Sequence, residues 1–157
     1  SSLCSLKLRD RGRTSFSPHT PRPQRSEENR ITPLLNLRHT KAYRGEWTRT
    51  LIEYAVNRCG IDNARTLIAV STAETQQGTR TRFDNNWWNW GMRDYKDVKT
   101  AINDVCKGLN GTYKGLVQGG KVNERMARCY VNGCKSKTTP TTWVQNVSWS
   151  YSKMEGK

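Results

Sequence analysis

The sequence of 157 residues has no apolar run of the length, about 18 residues, that a transmembrane helix needs. Residues 1–20 contain basic side chains but no apolar centre, which is not typical of a secretory signal. Acidic residues are scarce, with 13 against 27 Lys and Arg, so the formal net charge is +14. This excess predicts attraction to polyanions: nucleic acid, an anionic membrane surface or the acidic envelope of a bacterium.

The chain also lacks the ligand spacing of a zinc site. No two of its five cysteines are separated by two residues, and both histidines lie near the N-terminus. Four of the cysteines lie in the part expected to fold, and their three alternative pairings are not resolved by sequence. Disulfides are favoured over free structural thiols and over a metal site, so no metal or other cofactor is predicted. The four are Cys59, Cys106, Cys129 and Cys134, which leaves Cys4 over.

Proline is nearly confined to the N-terminal part. Residues 1–44 hold four of the five prolines, together with ten basic and three acidic residues, and show no helical or strand period. We therefore predict that residues 1–45 form a basic, Pro-containing tail and residues 46–157 one folded domain. The tail is either a solvated linker or an arm that binds anionic surfaces. Its apolar residues are candidates for a strap across the domain: Ile31, Leu34, Leu35 and Leu37.

Beyond the tail, apolar residues recur at intervals of three and four, which predicts a mainly α fold of five or six helices. Gly60 is expected to end the first helix, and Pro140 to occupy the first position of the last. Residues 78–93 lack a helical period, so we expect an irregular loop or short hairpin that lines a cleft. A further short helix is expected over residues 112–117.

A carboxylate lies at the end of an apolar helical stripe. Leu67, Val70, Ser71 and Glu74 share one face, and Gly78 is expected to end the helix soon afterwards. The apolar surroundings and the negative end of the helix dipole both disfavour an ionised Glu74. A glutamate that keeps its proton near neutral pH suits a general acid, whereas the simpler interpretation is a last-turn glutamate that points to solvent.

A run rich in asparagine and tryptophan follows this helix. Indole rings stack on the C–H face of sugars, and amides bond to hydroxyl and acetamido groups. Some of these tryptophans are also natural core residues. The run predicts carbohydrate binding, for which the candidate contacts are Asn86, Trp88, Asn89 and Trp90.

Residues 64–92, ARTLIAVSTAETQQGTRTRFDNNWWNWGM, resemble the active-site stretch of the lysozyme-like superfamily. The nearest relatives by this resemblance are bacterial lytic transglycosylases and cell-wall glucosaminidases of similar fold. The later segment MARCYVNGC resembles the Ala-Tyr-Asn-x-Gly signature of lytic transglycosylases, although here Val131 separates Tyr130 from Asn132. The resemblance implies that Glu74 is the catalytic acid and that Tyr130 and Asn132 contact substrate.

The activity implied by the resemblance is cleavage of the peptidoglycan backbone between N-acetylmuramic acid and N-acetylglucosamine. Asp84 is the candidate base for a hydrolytic water, or else a residue suited to a turn. Lytic transglycosylases instead use one glutamate twice and form a 1,6-anhydro product. A monomeric, bacteriolytic enzyme is expected, extracellular, periplasmic or carried by a phage particle, with peptidoglycan and anionic surface polymers as partners.

Two other functions fit parts of the pattern. Basic residues and six tryptophans could form a surface that binds single-stranded nucleic acid by charge and by stacking on its bases. However, the tryptophans alternate with asparagine more than with Lys or Arg. A wall-binding protein that has lost catalysis would also keep the fold and the glutamate.

Overall fold

The computed structural model describes residues 31–35 and 45–155. The predicted mainly α class is confirmed. Residues 45–155 form four α-helices, one two-stranded antiparallel sheet and a short 3₁₀ turn at Trp90–Met92, and residues 31–35 are also helical, so the described residues contain five α-helices. No helix among them is long and apolar enough for a membrane span. The elements are α1 (Arg49–Thr75), α2 (Val98–Asn110), β1 (Val117–Gln118), β2 (Lys121–Val122), α3 (Glu124–Asn132) and α4 (Thr141–Met154).

Gly60 interrupts helix α1, which agrees with the glycine expected to end the first helix. Gly60 has φ 86° and ψ 163°, so the helix consists of two segments that meet at this residue. The second segment ends where Gln76 takes a left-handed conformation and donates its N–H to the Thr72 carbonyl at 3.2 Å. Glu74 therefore lies in the last turn, as predicted, although the helix ends before Gly78.

The second segment of α1 forms the centre of the core. Helices α2 and α4 pack against α1, and α4 also contacts strand β2. Burial on several sides of the segment explains why its apolar residues extend beyond a single stripe. Its buried residues include Ala64, Leu67, Ile68, Ala69 and Val70.

Three tryptophan side chains close the core beside α1. The ring centroid of Trp47 is 5.3 Å from that of Trp87 and 5.9 Å from that of Trp88. The Trp88 indole N–H donates to the Leu67 carbonyl at 2.8 Å, and the Trp88 side chain is fully buried. The prediction that Trp88 contacts substrate is therefore wrong, because its ring and its only donor are both used inside the core.

Residues 31–35 are helical and contribute to the same core. Ile31 and Leu34 are buried, and Leu35 packs against the cluster with partial exposure. This part of the expected strap is confirmed. Leu37 and the rest of the predicted tail lie outside the described residues.

The short helix expected over residues 112–117 is wrong. Turns cover most of this segment and lead into a β-hairpin, in which Val117 pairs with Val122 and Gln118 with Lys121. Gly119 and Gly120 form the two-residue turn with φ values of 58° and 79°. Such turns need positive φ at both positions, which favours glycine at each, so the Gly-Gly pair defines a hairpin rather than a helix end.

The four cysteines of the folded part form two disulfides, Cys59–Cys106 and Cys129–Cys134. The first joins the first segment of α1 to α2. The second joins α3 to the loop that follows it. This pairing resolves the alternatives that the sequence left open, and it leaves none of these four thiols to bind a metal.

The two disulfides are predicted to differ in their contribution to stability. Their partners are 47 and 5 residues apart, and a longer closed loop restricts the unfolded chain more. Loop-closure entropy gives about 4 kcal/mol for the first and about 2 kcal/mol for the second. Urea denaturation should show a larger loss for the paired change Cys59→Ala with Cys106→Ala than for Cys129→Ala with Cys134→Ala. The reverse order would contradict the entropic argument.

Candidate active site

The Glu74 carboxyl group is held between two N–H donors from distant parts of the chain. Asn89 Nδ2 donates to Oε1 at 2.6 Å, and Trp143 Nε1 donates to Oε2 at 2.7 Å. Asn89 lies in the loop after α1, and Trp143 lies in the first turn of α4. Glu74 keeps some exposure, so its carboxyl group lies at the edge of the core rather than inside it.

Burial raises the pKa of Glu74 above its usual value. Hydrogen bonds from Asn89 and Trp143 and the charge of Arg82 act in the opposite direction, because each favours the carboxylate. Burial is the largest of these effects, so the carboxyl group keeps its proton to a higher pH than an exposed glutamate. This agrees with the direction expected from the apolar helix stripe.

The loop that carries Asn89 is fixed by the buried amide of Asn86. Asn86 Nδ2 donates to the carbonyls of Trp90 and Arg93, both at 2.8 Å. Its Oδ1 accepts the backbone N–H of Trp90 at 2.9 Å and of Trp88 at 3.3 Å. The prediction that Asn86 contacts substrate is wrong, because the side chain is fully buried and every donor and acceptor of its amide is used.

An ion pair ties the far end of this loop to α2. Arg93 Nη2 donates to Asp104 Oδ2 at 2.6 Å, and Tyr95 Oη donates to the same oxygen at 3.0 Å. The Arg93 guanidinium carbon also lies 4.6 Å from the centroid of the Tyr95 ring. Together with the Asn86 amide, these contacts hold both ends of the segment that presents Asn89.

Aromatic rings form a continuous group beside Glu74. The Tyr130 ring lies 5.9 Å from Trp90, 5.3 Å from Tyr113 and 5.5 Å from Trp143, measured between centroids. Trp90 and Tyr130 are both partly exposed, unlike Trp88. A Cβ at Gly108 would lie 2.1 Å from the Trp90 ring, so α2 needs a glycine where this ring packs.

The Tyr130 hydroxyl group keeps its proton and makes a hydrogen bond. It donates to the Trp88 carbonyl at 2.7 Å. Burial raises its pKa well above the usual range, and the nearby Glu74 carboxylate acts in the same direction. Tyr130 thus lies near Glu74 and packs against Trp143, and its contact with a substrate stays a prediction.

Two of the predicted site residues make their hydrogen bonds elsewhere. Asp84 is exposed, and its backbone, not its carboxylate, bonds to Asp94 and Tyr95. Asn132 is exposed at the end of α3, and its amide donates to the Thr138 carbonyl at 3.0 Å. The roles of Asp84 and Asn132 in catalysis and binding stay predictions.

Two residues near Glu74 were not found by sequence reasoning. Neither Trp143 nor Arg82 was among the predicted site residues. Trp143 is 69 positions from Glu74, so no local pattern connects them. For Arg82, the available signal was its position eight residues after Glu74, in the loop that was expected to line a cleft.

Searches for similar proteins give no family model, no curated protein and no solved structure that matches this chain. The lysozyme-like resemblance therefore remains a prediction from its motifs, and the case for a function depends on the Glu74 cluster.

The raised pKa of Glu74 predicts how stability depends on pH. Glu74→Gln removes the titrating group and keeps its size. A carboxyl group whose pKa is raised on folding from 4.5 stabilises the native state most below that pH, and the benefit is lost as the pH rises through the folded-state pKa. The free energy of unfolding of the wild type, minus that of the variant, should therefore fall from acid to neutral pH. Urea denaturation across this range measures it, and a constant or rising difference would refute the assignment.

Proposed function

We propose that the protein is a peptidoglycan glycosidase that cleaves the backbone between N-acetylmuramic acid and N-acetylglucosamine, with Glu74 as its general acid. The observation that carries the proposal is the Glu74 carboxyl group, which is desolvated enough to raise its pKa and yet partly exposed. A sugar alkoxide is too basic to leave unaided, so the glycosidic oxygen has to be protonated as its bond to C1 breaks.

The contacts of Glu74 suit a group that donates a proton. Asn89 Nδ2 and Trp143 Nε1 both act as donors, so neither accepts the proton of the neutral acid. In the protonated state the O–H is left for an acceptor outside this pair, such as the glycosidic oxygen. Once the proton has moved and the C1–O electrons have passed to the leaving oxygen, both N–H groups stabilise the carboxylate that remains.

The positive charge that develops at C1 needs a partner. The acetamido oxygen of the substrate can supply it, as in the single-glutamate route of the lytic transglycosylases, where Glu74 would then take a proton from the 6-hydroxyl. The alternative is a hydrolytic water activated by Asp84. The single-glutamate route has the better support, because the hydrogen bonds recorded for Asp84 involve its backbone and the residue is exposed.

The surroundings fit a glycan of the cell wall. Trp90 and Tyr130 present partly exposed rings beside Glu74, and such rings stack on sugar C–H faces. The net charge of +14 draws the protein to an anionic wall. The two disulfides suit an oxidising compartment, so we place the protein outside the cytoplasm or on a phage particle.

The first test is cleavage of purified peptidoglycan by the wild type and by Glu74→Gln. Gln is close in size but has no acidic proton to give, so we expect the rate of glycan cleavage to fall about 100- to 10,000-fold. Release of soluble muropeptides, followed by chromatography, measures the rate. An unchanged rate in a folded variant would exclude Glu74 as the acid, and a wild type without activity would favour a wall-binding protein.

The role of Asp84 is tested in the same assay. We expect Asp84→Asn to keep most of the activity and the products to carry a 1,6-anhydro end, which mass spectrometry recognises by the loss of one water. A large loss of rate in this variant, together with hydrolysed products, would instead assign Asp84 as the base of a hydrolase.

Trp143 predicts a shift in the pH dependence of activity. Trp143→Phe removes a hydrogen bond that favours the Glu74 carboxylate, so the pKa of Glu74 should rise further. The alkaline limb of kcat/KM, where the acid loses its proton, should then move to higher pH. Trp149→Phe, a change at a partly buried tryptophan of the same helix, is the control and should leave the limb in place. A limb that stays in place after Trp143→Phe would contradict the assignment.

A further inference from the structure

Most of the excess positive charge in the described part of the chain lies in one segment. Residues 114–137 contain six basic residues and one acidic residue. The other residues that the structure describes contain ten basic and nine acidic residues, so their charges nearly cancel. The charge is therefore a property of this segment and not of the whole domain. Its basic residues are Lys114, Lys121, Arg125, Arg128, Lys135 and Lys137.

Hydrogen bonds hold the β-hairpin and the start of α3 together. The Asn123 N–H donates to the Leu116 carbonyl at 2.8 Å, at the foot of the hairpin. The Asn123 side chain also caps α3, because its Oδ1 accepts the Met126 N–H at 3.0 Å. Lys121, in strand β2, is thereby kept next to the first turn of the helix.

A disulfide and a hydrogen bond fold the next loop back onto the end of α3. Cys134 in the loop is joined to Cys129 in the helix. Asn132 Nδ2 donates to the Thr138 carbonyl at 3.0 Å. Residues 135–137, which carry two lysines, lie between these two attachments and so stay at the C-terminal end of α3.

Helix α3 presents its arginines on the side opposite the candidate active site. Ala127 is buried and the Tyr130 ring packs against Trp143, so these residues define the inner face of the helix. At 3.6 residues per turn, Arg125 and Arg128 lie about 130–170° from the centre of that face. Arg125 is exposed and Arg128 is partly exposed, as this geometry requires. The two arginines therefore point outward, on the helix that carries Tyr130 into the site.

The outer arginines and the two loop lysines form what we call the α3 basic surface, and it has no acidic partner within the described residues. Their recorded ion pairs, Arg49–Glu53 and Arg93–Asp104, both lie outside residues 114–137. The acidic residue of the segment, Glu124, lies in the first turn of α3, where the helix dipole stabilises a carboxylate. The α3 basic surface consists of Arg125, Arg128, Lys135 and Lys137.

We propose that the α3 basic surface binds a linear phosphodiester polymer of the polyol-phosphate type. Guanidinium groups match the oxygens of a phosphate with paired N–H donors, and lysines add point charges. A polymer with one anion in every repeat can contact all four side chains with a single chain. The proposal concerns a surface outside the Glu74 cluster and does not depend on glycosidase activity.

The surroundings of the surface favour such a polymer over nucleic acid or a membrane. Tyr130 is the aromatic residue of residues 114–137, and its ring packs inward against Trp143, so no ring of the segment is left on the outer face to stack on bases. Val131, which is 38% exposed, is the exposed large apolar side chain of the segment. One valine does not make the apolar face that insertion into a membrane needs. The surface thus offers charge alone, which suits a chain of phosphates without bases.

The experiment measures binding of the full chain to poly(glycerol phosphate) over a range of NaCl concentrations. The test variant replaces the four residues of the α3 basic surface with glutamine. The control variant replaces two arginines and two lysines that are exposed elsewhere in the domain, so both variants carry the same net charge. The control changes are Arg58→Gln, Arg80→Gln, Lys96→Gln and Lys99→Gln.

We expect the affinity of the test variant to fall at least about 10-fold at roughly 0.1 M NaCl, and that of the control to change much less. Each lost phosphate contact lowers the slope of log K against log salt by about 0.7, so four contacts should make it shallower by about 3. Circular dichroism checks that both variants are folded, as exposed substitutions should leave them.

Three results would overturn the proposal. An equal loss of affinity in both variants would mean a general attraction of the basic chain to any polyanion. Tighter binding to oligothymidine with the same number of phosphates would mean a nucleic-acid surface. A wild type that does not bind the polymer would leave the α3 basic surface without this partner. None of these results bears on the role of Glu74, because the measurement involves no cleavage.

Discussion

The candidate site depends on opposing effects on the pKa of Glu74. Burial favours the neutral acid, while the N–H groups of Asn89 and Trp143 favour the carboxylate. A glutamate buried without these donors would be a weak acid with little reason to release its proton, and an exposed glutamate would already be ionised at neutral pH. Opposing effects on one group keep both of its charge states accessible, as a proton donor requires.

The rest of the structure keeps these donors in position. The Asn86 amide fixes the turn that presents Asn89, and the Thr75 hydroxyl joins the end of α1 to the carbonyl of Trp87. Trp143 is held by packing of α4 against α1 and by its contact with the Tyr130 ring. Donors fixed before the reaction need no reorganisation when the charge appears, which is the main electrostatic advantage of an enzyme over water.

The sequence predicted those features that local patterns determine. The apolar stripe placed Glu74 in the last turn of a helix, and its environment predicted the direction of its pKa. Trp88 and Asn86 were misjudged because the chemistry of indole and amide groups indicated sugar contacts, whereas burial depends on the backbone conformation. Asn85 and Asn89 have φ values of 59° and 52°, which turn the backbone, and both Trp87 and Trp88 lie in the core. The cysteine pairing and the contact with Trp143 join segments far apart in sequence, so no local pattern could give them.

Burial of Trp87 and Trp88 also bears on the nucleic-acid alternative. Stacking platforms need exposed rings next to basic side chains, and these two indoles are inside the core. The partly exposed rings of Trp90 and Tyr130 instead pack against each other, and Tyr130 lies near the Glu74 carboxyl group, which repels phosphate whenever it is ionised. A sugar backbone that is neutral, or whose charges are paired with nearby opposite charges, is not repelled by the Glu74 carboxylate. The positive charge of the chain therefore fits better as a means of reaching an anionic surface than as a means of reading a nucleic acid.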